Sequence, residues 1–171
     1  MKKIITLTIG LFFSFYVSAQ EVSTDVFVAA TPAGSTKLTG DALSKYLHSN
    51  FKITLVPSNY ETTYLAGGVI ICFWDLKADP AYKKTLEEVQ TRMDAFLKKN
   101  NTFVSSGIQT VHNTRFLVWE YHNDDEVYIR FMSEYNNNNQ SMDGIIQFKK
   151  PDEDKAQQAL KDLLASMHFK E

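Results

Sequence analysis

The spacing of apolar residues changes period several times along the chain, and each change marks an element. From residue 82 to residue 97, Tyr82, Leu86, Val89, Met93, Phe96 and Leu97 recur three or four positions apart, closing on an adjacent pair. That is one stripe on a helix of 3.6 residues per turn. Asp79-Pro80 ahead of it predicts an N-cap followed by the first helical position. Glu87 and Glu88 early and Lys98 and Lys99 late suit the helix dipole, and Asn100-Asn101 supplies a stop. A shorter helix is predicted on Ala42, Leu43, Tyr46 and Leu47, ending at Asn50. A closing helix carries Ala156, Ala159, Leu160, Leu163, Leu164 and Met167 behind an acidic first turn at Asp152 to Asp154.

Elsewhere the pattern is that of strands. Phe51, Ile53 and Leu55 alternate with Lys52 and Thr54, which predicts a half-buried strand stopped by Pro57. Val69 to Trp74 is apolar without a break, the signature of a central strand covered on both faces. Residues 103–111, 115–121, 126–135 and 144–148 read as an antiparallel meander. Its turns fall at His112-Asn113, at Asn123 to Asp125 and at an Asn-rich tip, Asn136 to Asn139. In the third strand Val127, Ile129 and Phe131 share one face, while Tyr128, Arg130, Met132 and Glu134 share the other. The fold class is therefore α+β: an antiparallel sheet of about five to six strands, sandwiched by a long central helix and by N- and C-terminal helices.

The first 19 residues change the picture of where the protein works. Lys2-Lys3, an apolar run from Ile4 to Val17, and the small residues of Val17-Ser18-Ala19 form a secretory signal peptide. The run is too short for a membrane anchor, and no basic cluster follows it. No cysteine stands at the cleavage point to carry a lipid. The expected product is soluble after cleavage, in the periplasm or outside the cell, with no stable membrane insertion. Residues 20–38, rich in Ser, Thr, Ala, Pro and Gly, read as a flexible leader that docks loosely, and residues 39–171 as a single domain. The signal holds two of the 18 basic residues and none of the 20 acidic ones, so the remainder is mildly acidic. It has no basic block and is a poor partner for nucleic acid. The one cysteine, Cys72, excludes an internal disulfide.

Candidate chemistry is sparse. His112 and His122 bracket an apolar run, but an extended chain of ten residues separates them by about 33 Å. They cannot share a metal, whose ligands lie about 2 Å from it. His48 and His168 stand near helix ends, where His168 can answer the dipole. Cys72, between Ile71 and Phe73, reads as a quiet core thiol. No Gly-x-Ser-x-Gly elbow is present, and Ser105-Ser106-Gly107 reads as strand polarity. Gly67-Gly68 precedes a strand, whereas phosphate-binding glycines follow one and open a helix. Asp124-Asp125-Glu126 with Asp143 would hold calcium only if two hairpin tips met. No metal, cofactor or catalytic residue is expected. The aromatic supply, with Trp74, Trp119, Tyr121, Tyr128 and Tyr135 in strands, suits either a covered sheet or a binding surface.

A short helix, then Phe51, Ile53, Leu55 and Pro57, then Tyr60-Glu61, a long strand, a long helix, a meander and a closing Leu163 to Phe169 resemble the PsbP-like superfamily over residues 40–170. That superfamily includes extrinsic photosystem subunits, a nuclear-transport cofactor and small exported bacterial proteins. The resemblance implies an α/β/α-type sandwich and a role in binding or assembly, and it brings no catalytic residue. The leading expectation is a non-enzymatic module of the bacterial envelope, meeting another envelope or extracellular protein. The contacts would come from the sheet face at Tyr128 and Arg130 and from the hairpin tips, with Asn137, Asn138 and Asp143 as binding residues. A second expectation is a carrier of a small apolar ligand held between sheet and long helix. A third is a hydrolase with dispersed Ser106, His112 and Asp124.

Overall fold

The computed structural model describes residues 20–56 and 62–170. The signal peptide read into residues 1–19, the stop at Pro57 and the Tyr60-Glu61 pair lie outside these residues. The chain runs β1 (Glu21–Ser23), β2 (Phe27–Ala30), β3 (Thr36–Lys37), α1 (Gly40–Asn50), β4 (Thr63–Ala66) and β5 (Val69–Lys77). It continues through α2 (Leu86–Asn100), β6 (Thr102–Val111), β7 (Thr114–Asn123), β8 (Glu126–Ser133), β9 (Gln140–Lys149), α3 (Glu153–Ser166) and β10 (His168–Phe169).

The main sheet is antiparallel, with seven strands in the order β3-β4-β5-β9-β8-β7-β6, against the five to six expected. The extra strands are short edge pieces, β3 and β4, that carry little periodic signal. β6 to β9 are the meander, and β9 returns to pair with β5 along eight residues. The α2 segment therefore carries the chain from the middle of the sheet to its far edge, crossing one face on the way.

Each face of the sheet has its own core. On one face Ile71, Phe73, Phe116, Ile129, Phe131, Ile146 and Phe148 pack against α3 and β2. On the other Ile70, Cys72, Leu117, Trp119, Tyr128 and Ile145 pack against α1 and α2. Burial on both sides explains the unbroken apolar run of β5. The parity expected for β8 holds: Val127, Ile129 and Phe131 enter the α3 core, and Tyr128 and Met132 the α2 core.

Three departures from the sequence reading follow from long-range contacts. Residues 20–38, expected to dock loosely, form three short strands, and Phe27 is fully buried. The ladder that holds β2 is completed by β10, from the other end of the chain. The long helix begins later than Asp79-Pro80: that pair caps a separate 3₁₀ turn, Pro80–Tyr82. Thr85 caps α2 instead, in a capping box with Glu88. Finally, residues 51–56 are not a strand. They form an irregular strap across the α2 face, with Phe51 and Val56 buried and Ile53 and Leu55 about two-fifths exposed.

Candidate functional site

The strap is held by side chains in place of a backbone ladder. The Glu126 carboxylate, 3 % exposed, accepts from the backbone N–H groups of Lys52 and Ile53. It also accepts from the Tyr128 hydroxyl at 2.9 Å. Gln147 Nε2 donates to the Ile53 carbonyl, and its Oε1 accepts from the Leu55 N–H. These three buried polar side chains stand on β8 and β9, and their partners lie 73 to 94 residues away.

Between the strap, α2 and the sheet lies an open cleft of about 510 Å³. Its floor is the strand face: Trp74 from β5, Tyr121 from β7, Tyr128 and Arg130 from β8, and Ile145 from β9. One wall is α2, through Met93, Phe96 and Leu97; the other is the strap, through Ile53 and Leu55. Asn100, Asn101 and Asn123 stand at one end. The wall residues leave large apolar surfaces in water: Phe96 is 57 % exposed. A stripe that were only core packing would bury that ring, because solvated apolar surface is unfavourable. The Tyr121 and Tyr128 rings stack on each other with centroids 5.4 Å apart beneath the cleft, and both are almost wholly buried.

Among the described residues Arg130 is the one charged residue lining the cleft. Its Nη2 meets Asp143 Oδ2 at 3.1 Å, with the arginine side chain 38 % exposed and the aspartate 11 %. Burial pushes the Asp143 carboxyl up, and the Arg130 guanidinium opposes that shift. Burial first, and then its bond to Glu126, hold the Tyr128 phenol well above the usual range, so it remains a neutral donor. The chemistry offered is apolar contact with a few fixed N–H and O–H donors.

Two of the five expected binding residues, Tyr128 and Arg130, line this cleft, and Asp143 anchors Arg130. Asn137 and Asn138 do not join them. They sit on the β8–β9 turn, beyond the end of β8 opposite Asn123 to Asp125, and alternate turns of a meander lie about a strand's length apart. The two hairpin tips cannot form one contact surface together. Asn136 Oδ1 accepts from the N–H groups of Asn138 and Gln140, and Asn139 adopts a left-handed φ of 57°. The Asn run thus has a turn-building role. Tyr128 is also not an open sheet face: it is 1 % exposed beneath the strap.

The remaining candidates disperse. His112 and Asn113 make the β6–β7 turn with φ of 46° and 67°, while His122 lies at the other end of β7. Ser106 Oγ is engaged by Gln90 and Asp94 of α2. His112 is six residues along β6 and Asp124 is at the opposite end of the sheet, so the hydrolase set does not assemble. Asp124 to Glu126 and Asp143 are likewise separated along β9, which runs from Lys149, opposite Glu126, to Asp143, opposite Met132. Among the described residues no group of three or more His, Cys, Asp or Glu side chains could hold a metal. Burial pushes the Cys72 thiol up to about 11, and the Thr63 hydroxyl lies against its sulfur. His168 Nδ1 contacts the Ser166 carbonyl just past α3, a local use at a helix end.

The sequence reading placed an apolar ligand between sheet and long helix as its second expectation, but named none of the α2 wall residues Met93, Phe96 and Leu97, nor Ile145, as site residues. The adjacent Phe96 and Leu97 were the available signal. They widen the helix stripe beyond what one packed face needs, and Leu97 buries while Phe96 does not.

No helix among the described residues is long and apolar enough to cross a membrane. No family model and no curated protein matches the chain. Among solved structures it is similar to the solution structure of the cyanobacterial PsbP (CyanoP) from Synechocystis sp. PCC 6803, with a TM-score of 0.55 and 10% identity over 97% of this chain and 99% of that one. The two share an architecture at a sequence distance where only the fold is comparable, and this chain accordingly has a PsbP-like fold.

Proposed function

We propose that this protein is a non-enzymatic binding module that acts outside the cytoplasm and takes a small apolar molecule into the cleft between strap, α2 and sheet. The observation that carries the reading is the cleft itself. It is concave, mostly apolar, and floored by aromatic rings with one cation held in place, the usual composition of a small-molecule site. Its volume suits a single drug-sized ligand. Native mass spectrometry of freshly purified protein tests it. A bound species lost on Met93→Trp, which fills the cleft, supports the reading; an unliganded mass that stays so after incubation with apolar compounds contradicts it. The export expected from residues 1–19 is tested by cell fractionation of the full chain.

A second reading rests on Ile53, Leu55 and Phe96, all more than 40% exposed along the walls of the same cleft. Another envelope protein inserting an apolar side chain there would cover them. In that case Phe96→Ser would abolish a pulled-down partner while leaving the fold unchanged, because this ring is already in water.

A further inference from the structure

The charge balance on the cleft floor narrows the ligand class. Among the described residues Arg130 is the sole ion in the lining, and its partner Asp143 lies buried directly beside it, bonded at 3.1 Å. The pair sums to zero, and the other carboxylate near the floor, Glu126, is enclosed by three donors of its own. A carboxylate or phosphate head placed on Arg130 would make a second anion share one cation, with Asp143 unable to move into water at 8 % exposure. An ammonium head would face the guanidinium itself. An uncharged acceptor meets neither penalty. The guanidinium has five N–H donors, and the bond to Asp143 engages Nη2, so the group keeps donors to offer. Trp119 lies directly across from Arg130 in the β7–β8 ladder. Its Nε1 is buried without a hydrogen-bond partner among the described residues, but the ring does not line the cleft, so Arg130 is the donor the floor presents. The amide residues Asn100, Asn101 and Asn123 at the cleft end are uncharged as well.

Resting on the cleft reading above, we infer that the ligand is an uncharged, chiefly hydrocarbon molecule with one hydrogen-bond-accepting oxygen, a ketone, ester or quinone-type carbonyl, seated on Arg130. Its apolar body lies along Tyr121, Tyr128 and Ile145, between Met93 and Leu55.

The test is displacement of N-phenyl-naphthylamine, an uncharged fluorescent probe, from the protein purified after expression of the full chain. Three competitors are compared: methyl undecyl ketone, the fatty carboxylate of equal chain length, and the parent alkane. The expected order places the ketone about tenfold ahead of both others, the size of one hydrogen bond to a charged donor. The paired substitution Arg130→Met with Asp143→Asn avoids stranding a buried carboxylate. It should bring ketone and alkane within about twofold of each other while the probe still binds. If that variant fails to fold by circular dichroism, the wild-type series decides alone. A carboxylate that competes as well as or better than the ketone overturns the uncharged-ligand inference and leaves the cleft reading intact. A probe that does not bind, or that binds equally to Met93→Trp, overturns both.

Discussion

Glu126→Ala is the substitution that asks most directly whether side chains alone hold the strap over the cleft. The carboxylate accepts from Lys52 N–H, Ile53 N–H and Tyr128 O–H. Truncation leaves three donors without their acceptor. Each such loss costs about 1–3 kcal/mol when the group is buried. Here the sum is smaller than three full terms. Ile53 is 42% exposed and its bond to Glu126 only partly buried, and the Tyr128 hydroxyl has the Ile53 carbonyl 3.3 Å away as a substitute. Removing a buried charge also relieves desolvation. About 3 kcal/mol remains, concentrated in residues 51–56 because the sheet ladder is untouched. In native-state hydrogen exchange this appears as roughly hundredfold faster exchange at Lys52 and Ile53. Amides in the β5–β9 ladder should exchange at unchanged relative rates. Glu126→Gln retains one acceptor oxygen and should fall between the two. If exchange at Lys52 and Ile53 in the alanine variant stays within about threefold of wild type, the polar latch is irrelevant and the buried Phe51 and Val56 hold the strap.

Two further outcomes test the core beneath the site. The folded-state thiol of Cys72 titrates at about 11 against an ordinary 9.0. Its contribution to stability is therefore complete below pH 9 and is lost as pH rises toward 11, by about 3 kcal/mol at the limit. Urea midpoints of wild type and Cys72→Ala should converge or cross over that window, and parallel curves would refute the assignment. At Gly144 an added Cβ would press on the Phe131 ring and stand 2.8 Å from the Cys72 carbonyl oxygen. Gly144→Ala is expected to destabilise by about 2–3 kcal/mol in urea denaturation. Phe131→Leu should recover part of the loss, since the ring is the movable side of the clash; no recovery would place the strain in the backbone contact.

How much of this was legible depends on where each element finds its partners. The meander could be read because its alternation and its turn residues agree. His112, Asn113, Asp124 and Asn139 all adopt positive φ, which short polar residues tolerate at turns. The stripe of α2 and the two faces of β8 were likewise local patterns. Residues 51–56 misled because Phe51, Ile53 and Leu55 alternate with polar neighbours as a half-buried strand would, yet of the three only Phe51 is buried, and the segment is tied down by Glu126 and Gln147 instead of a ladder. Nothing local distinguishes the two. Residues 20–38 read as a loosely docked leader because the ladder that completes β2 comes from His168–Phe169, at the other end of the chain. The Tyr128-Arg130 face was found by parity, but its character was not. Whether such a face meets a partner or a helix depends on what crosses it, and α2 reaches it only through the crossover from β5 to β6. The Asn-rich tip attracted attention by composition, and its hydrogen bonds show a turn held by its own first residue.

The central claim is that the cleft between strap, α2 and sheet is where this protein binds an apolar molecule. Methyl-labelled NMR titration with methyl undecyl ketone tests it at atomic position. The account predicts saturable shifts at the methyls of Ile53, Leu55, Met93, Leu97 and Ile145, which line the cleft. It predicts none at Ile71, Ile129 and Ile146, which face the opposite core. Shifts confined to the α3 face, or no saturable shift at any methyl, would contradict it.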